Sequence, residues 1–101
     1  LNLWATQVSD AGLVHLSGLE NLARLNLYEN NRVTNDGLVH VGKINSLQWL
    51  HLGATDINDE GLGQLASLEK LHTLNISFCP GVTGSGTAML QEKIPELLVE
   101  Q

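Results

Sequence analysis

Trp4, Tyr28 and Trp49, joined by Arg24, Glu29 and His51, are the side chains of this 101-residue chain best suited to recognising another molecule. Two indoles and a phenol offer large, rigid surfaces that are costly to leave in water and are typical of binding hot spots. A guanidinium, a carboxylate and an imidazole beside them can set specificity by charge and hydrogen bonding. Bond-making chemistry has no comparable set of residues. There is no Gly-rich phosphate loop, no nucleophile motif and no His/Cys metal cluster, so a non-enzymatic chain without cofactors is expected. His15 and His40 recur at equivalent positions, but no third ligand stands at metal-binding spacing, and no metal site is expected. Asp56, Asp59 and Glu60 lack the alternating oxygen ligands and Gly of a calcium loop and read as a solvated cap. Asn75-Ile76-Ser77 matches the N-glycosylation sequon, where a sugar would block the aromatic surface.

The elements that would position these residues follow from a repeated spacing. L-x-x-L-x-L occurs at Leu22/Leu25/Leu27, Leu47/Leu50/Leu52, Leu71/Leu74/Ile76 and Ile94/Leu97/Val99, with Leu1 and Leu3 as the tail of a further copy. Leu22 to Leu47, Leu47 to Leu71 and Leu71 to Ile94 are 25, 24 and 23 residues apart, within the period of a leucine-rich repeat. Leu25 and Leu27 alternate with Arg24, Asn26 and Tyr28, which predicts a strand with leucines inward and the others outward. Aligned strands give outward columns Asn2/Asn26/His51/Asn75/Leu98, Trp4/Tyr28/Gly53/Ser77/Glu100 and Arg24/Trp49/Thr73/Glu96. At the strand exit stand Ala5/Glu29/Ala54/Phe78/Gln101, with Phe78 expected to turn inward at the lip.

A second aligned block follows each strand. Its polar column, Ser9, Thr34, Asn58 and Thr83, reads as helix N-caps, and Asp10 and Asp59 next to it suit the helix dipole. Leu13/Leu16/Leu19, Leu38/Val41/Ile44 and Leu62/Leu65/Leu68 predict short helical segments with one apolar stripe. Thr6, Asn30, Thr55 and Cys79 form a column between strand and cap that should point inward and satisfy turn amides and carbonyls, with Cys79 a small buried residue. Glycines 12, 37, 61 and 86 recur with the repeat and read as architectural.

This combined pattern resembles the cysteine-containing, ribonuclease-inhibitor-like subfamily of leucine-rich repeats, found in F-box-type proteins and bacterial arrays. The fold expected is an α/β leucine-rich repeat solenoid with a parallel strand ladder on the concave face and short helices on the convex face. About four repeats make one domain over 1–101, at approximately 1–21, 22–46, 47–70 and 71–93, with a terminal strand at 94–101. A solenoid of this kind has no central core and offers one extended surface for a partner. Pro95, Glu96 and Glu100 suit a terminal edge strand, whereas the N-terminal edge is bare and open to self-association. The absence of an initiator Met and an opening inside a repeat lead us to expect the C-terminal part of a longer protein.

Composition narrows the function. Hydrophobic residues at 43% and charged residues at 16% indicate a packed interior rather than disorder. A formal charge of −6 excludes favourable contact with nucleic-acid phosphates or an anionic membrane and points to a neutral or basic protein partner. A lone cysteine and the lack of a signal segment point to the cytoplasm. The function expected is a protein-protein interaction module binding on its concave face through Trp4, Arg24, Tyr28, Glu29, Trp49 and His51. The alternatives are a small-molecule receptor surface, or the recognition domain of a larger ubiquitin-ligase-type or other enzyme.

Overall fold

Leu25, Leu50 and Leu74 are fully buried at the centres of three three-residue strands. Alternate side chains of an extended chain point to opposite faces, so the residues flanking each leucine face outward. In the computed structural model, which describes residues 1–101, these strands are β1 (Arg24–Asn26), β2 (Trp49–His51) and β3 (Thr73–Asn75), and β4 (Leu98–Glu100) completes the sheet. All neighbours are parallel, in the order β1-β2-β3-β4, with Arg24, Trp49, Thr73 and Leu98 in register; the last strand therefore pairs two residues later than the sequence columns placed it, with Leu98 rather than Glu96 beside Thr73 and Glu100 rather than Leu98 beside Asn75. Asn2 extends the sheet by a single parallel bridge to Asn26.

Four helices alternate with the strands: α1 (Asp10–Leu13), α2 (Asn35–Val41), α3 (Asp59–Gly63) and α4 (Gly84–Lys93). Each begins one residue after the polar column, so Ser9, Thr34, Asn58 and Thr83 all occupy the N-cap position. Only two of them use their side chains as caps. Thr34 accepts from the Asp36 amide at 3.3 Å and Asn58 from the Glu60 amide at 3.0 Å, whereas Ser9 and Thr83 make no capping bond.

Between strand and helix the backbone turns through a left-handed residue in every unit. Ala5, Glu29, Ala54 and Phe78 have φ of 53°, 61°, 55° and 60°. A non-glycine residue in this region costs about 1–2 kcal/mol, and the following residue holds the turn in place. Asn30 is fully buried, donates to the carbonyls of Leu3 (2.7 Å) and Leu27 (3.0 Å), and accepts from the Val8 amide at 3.0 Å. The Thr55 hydroxyl donates to the Leu52 carbonyl at 2.7 Å, and the Cys79 thiol donates to the same carbonyl at 3.1 Å. No buried side-chain nitrogen or oxygen is left without a partner. The left-handed turn also explains why Phe78 does not fold inward: its side chain is 74% exposed.

The leucine-rich repeat solenoid of the sequence reading, an elongated array without a central core, is corrected by this structure. The chain is a compact α/β body of 29 × 28 × 18 Å, with a four-stranded parallel sheet, four helices and one continuous core of 21 buried residues. Four strands spaced about 4.8 Å apart span only about 15 Å, too little for the ladder to become the long axis. Leucines from successive units therefore meet in a single core, in which Leu27, Leu52 and Leu65 are fully buried.

Candidate functional site

The outward positions of β1 and β2 carry Arg24, Asn26, Trp49 and His51, and Tyr28 follows β1 by two residues. Their rings form a continuous aromatic ribbon with Trp4. Trp4 and Tyr28 have centroids 6.1 Å apart, Tyr28 and His51 4.8 Å, and His51 and Trp49 5.9 Å in a near-perpendicular arrangement. The Arg24 guanidinium carbon lies 4.5 Å from the Trp49 ring centroid. Each aromatic contact contributes about 0.5–1.5 kcal/mol and an exposed cation–π pair about 0.5–1 kcal/mol, so the ribbon is a modestly preorganised surface. Five of the six residues singled out in the sequence are thus in mutual contact. Glu29 is the exception: it is exposed at the left-handed turn and joins none of the ring contacts.

Gly53 makes this packing possible. A Cβ there would stand 2.6 Å from His51 Cε1 and 2.7 Å from Tyr28 Cδ1, so any side chain would force the two rings apart. The position is central in the ribbon and was not singled out by its residue type.

The column Asn2/Asn26/His51/Asn75 also holds the chain that follows each strand, and His51 does so while it belongs to the ribbon. Asn2 accepts from the Trp4 amide at 3.0 Å, Asn26 from the Tyr28 amide at 2.9 Å and Asn75 from the Ser77 amide at 2.9 Å. His51 does the same with Nδ1, accepting from the Gly53 amide at 3.0 Å. That bond places the proton of the neutral ring on Nε2. Partial burial lowers the His51 pKa below its ordinary value, partly opposed by the Glu100 carboxylate. Asn75, the sequon asparagine, contributes its Oδ1 to this turn.

The sequence reading missed a second set of contacts, on the edge where helices begin. Asp10 accepts from the Thr34 amide at 2.8 Å and from the Thr34 hydroxyl at 2.5 Å. Asp59 accepts from the Thr83 amide at 2.8 Å and from its hydroxyl at 2.5 Å. Between them, Asn35 accepts from the Asn58 amide at 3.0 Å and donates to the Asn58 carboxamide at 2.7 Å. The first helical residue of each unit therefore clamps the cap residue of the next. Gly37, Gly61 and Gly86 lie against these clamps, where a Cβ would sit 2.3, 2.2 and 2.1 Å from a clamp oxygen. Their recurrence reflects this close approach. Asp59 is accordingly not a merely solvated cap: the Thr83 hydroxyl, then the Thr83 amide, hold its carboxyl below the ordinary carboxylate value.

The remaining candidates stay apart from the ribbon. His15 is exposed and His40 half-buried, and no group of three or more His, Cys, Asp or Glu side chains converges as a metal set would. A shallow depression of about 200 Å³ lies beside the ribbon, lined by Leu1, Asn2, Arg24, Asn26 and Trp49. A larger open depression of about 440 Å³, between Glu69, His72, Lys93 and Glu96, includes none of the ribbon residues. No helix is long and apolar enough to cross a membrane.

No protein-family model and no curated protein matches the chain. Among solved structures, its fold is similar to that of a chain in the structure of the Chaetomium Mex67:Mtr2 subunits, with a TM-score of 0.76 and 16% identity over 99% of this chain and 77% of that one. At this identity the likeness concerns the fold, and it agrees with the compact α/β body in place of the extended solenoid.

Proposed function

We propose that the chain is a non-catalytic protein-interaction module that holds its partner on the outward face of the sheet, with Trp4, Tyr28 and Trp49 as anchors. The observation that carries this reading is the contiguous ribbon of Trp4, Tyr28, His51 and Trp49, with Arg24 over one end. Trp4 is 54% exposed, and rigid aromatics lose little entropy on contact, which suits a protein interface. The net charge of −6, with Glu29, Glu96 and Glu100 exposed, favours a neutral or basic partner and disfavours nucleic acid or anionic lipid. Arg24 and His51 tune specificity within the ribbon, and Glu29 does so from its rim. The similar Chaetomium chain belongs to a structure of two protein subunits, which supports the use of this fold in protein assembly. A reducing, cytoplasmic setting belongs to the same proposal and rests on the single, buried thiol of Cys79.

A small-molecule receptor finds less support. The depression beside Arg24 and Trp49 is about 200 Å³, below the roughly 300–1,000 Å³ of ligand pockets, and the ribbon has no enclosing walls. The test is an affinity pull-down that compares the parent chain with Trp4→Ala/Tyr28→Ala/Trp49→Ala. A protein retained by the parent and lost by the variant, with unchanged circular dichroism, is the expected outcome. Equal retention by both would remove the sheet face from the account.

A further inference from the structure

The outward side chains of β3 are short, and those of the strands on either side of it are long. Thr73 lies in register between Trp49 on β2 and Leu98 on β4, and Asn75 lies between His51 and Glu100. The β2 and β4 backbones are two strand spacings apart, about 9.6 Å, with only a hydroxyl and a carboxamide on the floor between their side chains. The result is a trough along β3.

The walls change character along its length. At the Thr73 end they are the half-buried Trp49 and Leu98, which is 60% exposed. At the Asn75 end, two residues or about 6.6 Å further along the strand, they are His51 and the exposed Glu100. An apolar stretch that leads to a carboxylate matches the side chain of lysine or arginine, which lays its methylenes along apolar surface and keeps a charged head for a polar partner. The chain supplies no such head itself. Arg24 is the only positively charged residue among the outward strand positions, and its guanidinium is held over Trp49, 4.5 Å from the ring centroid.

We propose that this trough receives a lysine or arginine side chain of the protein partner, with its stem between Trp49 and Leu98 and its cationic head at Glu100, over Asn75 and beside neutral His51. The inference rests on the sheet-face reading above and adds to it the side-chain type that the partner presents. It also gives Leu98 a role that its exposed position on the last strand otherwise lacks. Contact with Glu100 is a local ion pair, distinct from the general attraction of a basic partner to a chain of charge −6. Glu29 separates the two, because it is an equally exposed carboxylate at the turn after β1 and lies outside the trough.

The probe is a blocked pentapeptide with one central lysine among glycines, titrated at millimolar concentration into the isotope-labelled chain and followed by amide chemical shifts. Shifts should centre on Thr73, Asn75 and Glu100, and acetylation of the lysine should abolish them. Glu100→Gln should weaken binding by about fivefold or more, whereas Glu29→Gln should leave it within about twofold. Thr73→Phe, which fills the floor with a residue favoured in strands, should abolish the shifts without lowering the melting temperature. No lysine-dependent shift, equal binding of the acetylated peptide, or equal weakening by Glu29→Gln and Glu100→Gln would overturn the proposal. In the pull-down, a protein lost with Trp4→Ala/Tyr28→Ala/Trp49→Ala but retained equally by the parent and Glu100→Gln would overturn the cation site and leave the sheet-face reading standing. Equal retention by all three would overturn both.

Discussion

The first unit and the last are built on the same leucine spacing, yet they close differently. In the first, α1 has four residues followed by a 3₁₀ turn, and Leu1, Val14 and Leu19 are 51%, 45% and 43% exposed. In the last, α4 has ten residues and packs against α3, so that Leu90, Ile94 and Leu97 are at most 6% exposed. Thr87, which replaces the leucine found at Leu13, Leu38 and Leu62, is buried with its hydroxyl bonded to the Gly84 carbonyl at 3.0 Å. The spacing decides where a leucine points, and the neighbouring unit decides whether it is covered. A pattern shared by all units therefore coexists with core leucines left open in the first unit and covered in the last, where Phe78 and Leu98 alone among the large apolar side chains stay 74% and 60% exposed.

The largest effect that could break this comparison concerns the leucines themselves. Leu50→Ala, at the centre of β2, should cost about 2–5 kcal/mol in urea unfolding, and Leu1→Ala less than about 1 kcal/mol. Equal losses would mean that the first unit is covered as well as the middle ones. Glycines sharpen the contrast. Gly61→Ala drives a Cβ to 2.2 Å from the Asn35 clamp oxygen and should destabilise by about 1–3 kcal/mol, whereas Gly12→Ala should lie within about 1 kcal/mol of the parent, helped by the better helix propensity of alanine.

A smaller effect should appear with pH. The His51 pKa is lowered from its ordinary 6.5, so the unfolded chain binds the proton more readily. The stability that His51 contributes is full above 6.5 and is lost as pH falls through 6.5 toward the lower folded value. Protonation also removes the Nδ1 acceptor for the Gly53 amide, against which Glu100 on β4 is the opposing charge, while Arg24 on β1 engages Trp49. Melting temperature should drop between about pH 7.5 and about pH 5.5 in the parent. His51→Asn, which installs the residue of the other units, should abolish that drop, and a variant with the same slope would contradict the role assigned to Nδ1. The smallest expected change belongs to Asp59, whose lowered pKa contributes stability above its ordinary 3.8 that is lost as pH falls further, and Thr83→Val should flatten the acid limb of the melting curve.

Much of the unit was legible in the sequence, because alternation and capping are local. Leu25 and Leu50 pointing inward follow from period two, and helix starts at Asp10, Asn35, Asp59 and Gly84 follow from the polar column ahead of them. The five-residue ribbon was legible for the same reason, since residues at one register share a face. What could not be read was whatever depends on the distance between units. The two-pronged clamp of Asp10 on Thr34 joins residues 24 positions apart, and its only trace in the sequence is the glycine that recurs three residues after the cap. The overall shape was misjudged on the same account: repeat spacing gives the unit but not the proportion between ladder length and unit depth. Phe78 was misplaced because a left-handed turn reverses the direction that strand alternation implies.

The central claim is that the outward face of the sheet holds a protein partner. A photoreactive residue placed at Tyr28, in the middle of the ribbon, and in a second protein at Val39, an exposed position on α2, tests it most directly. The account predicts a discrete protein cross-link from the Tyr28 position and none from Val39. A cross-link from Val39 alone, or equally from both, would contradict it.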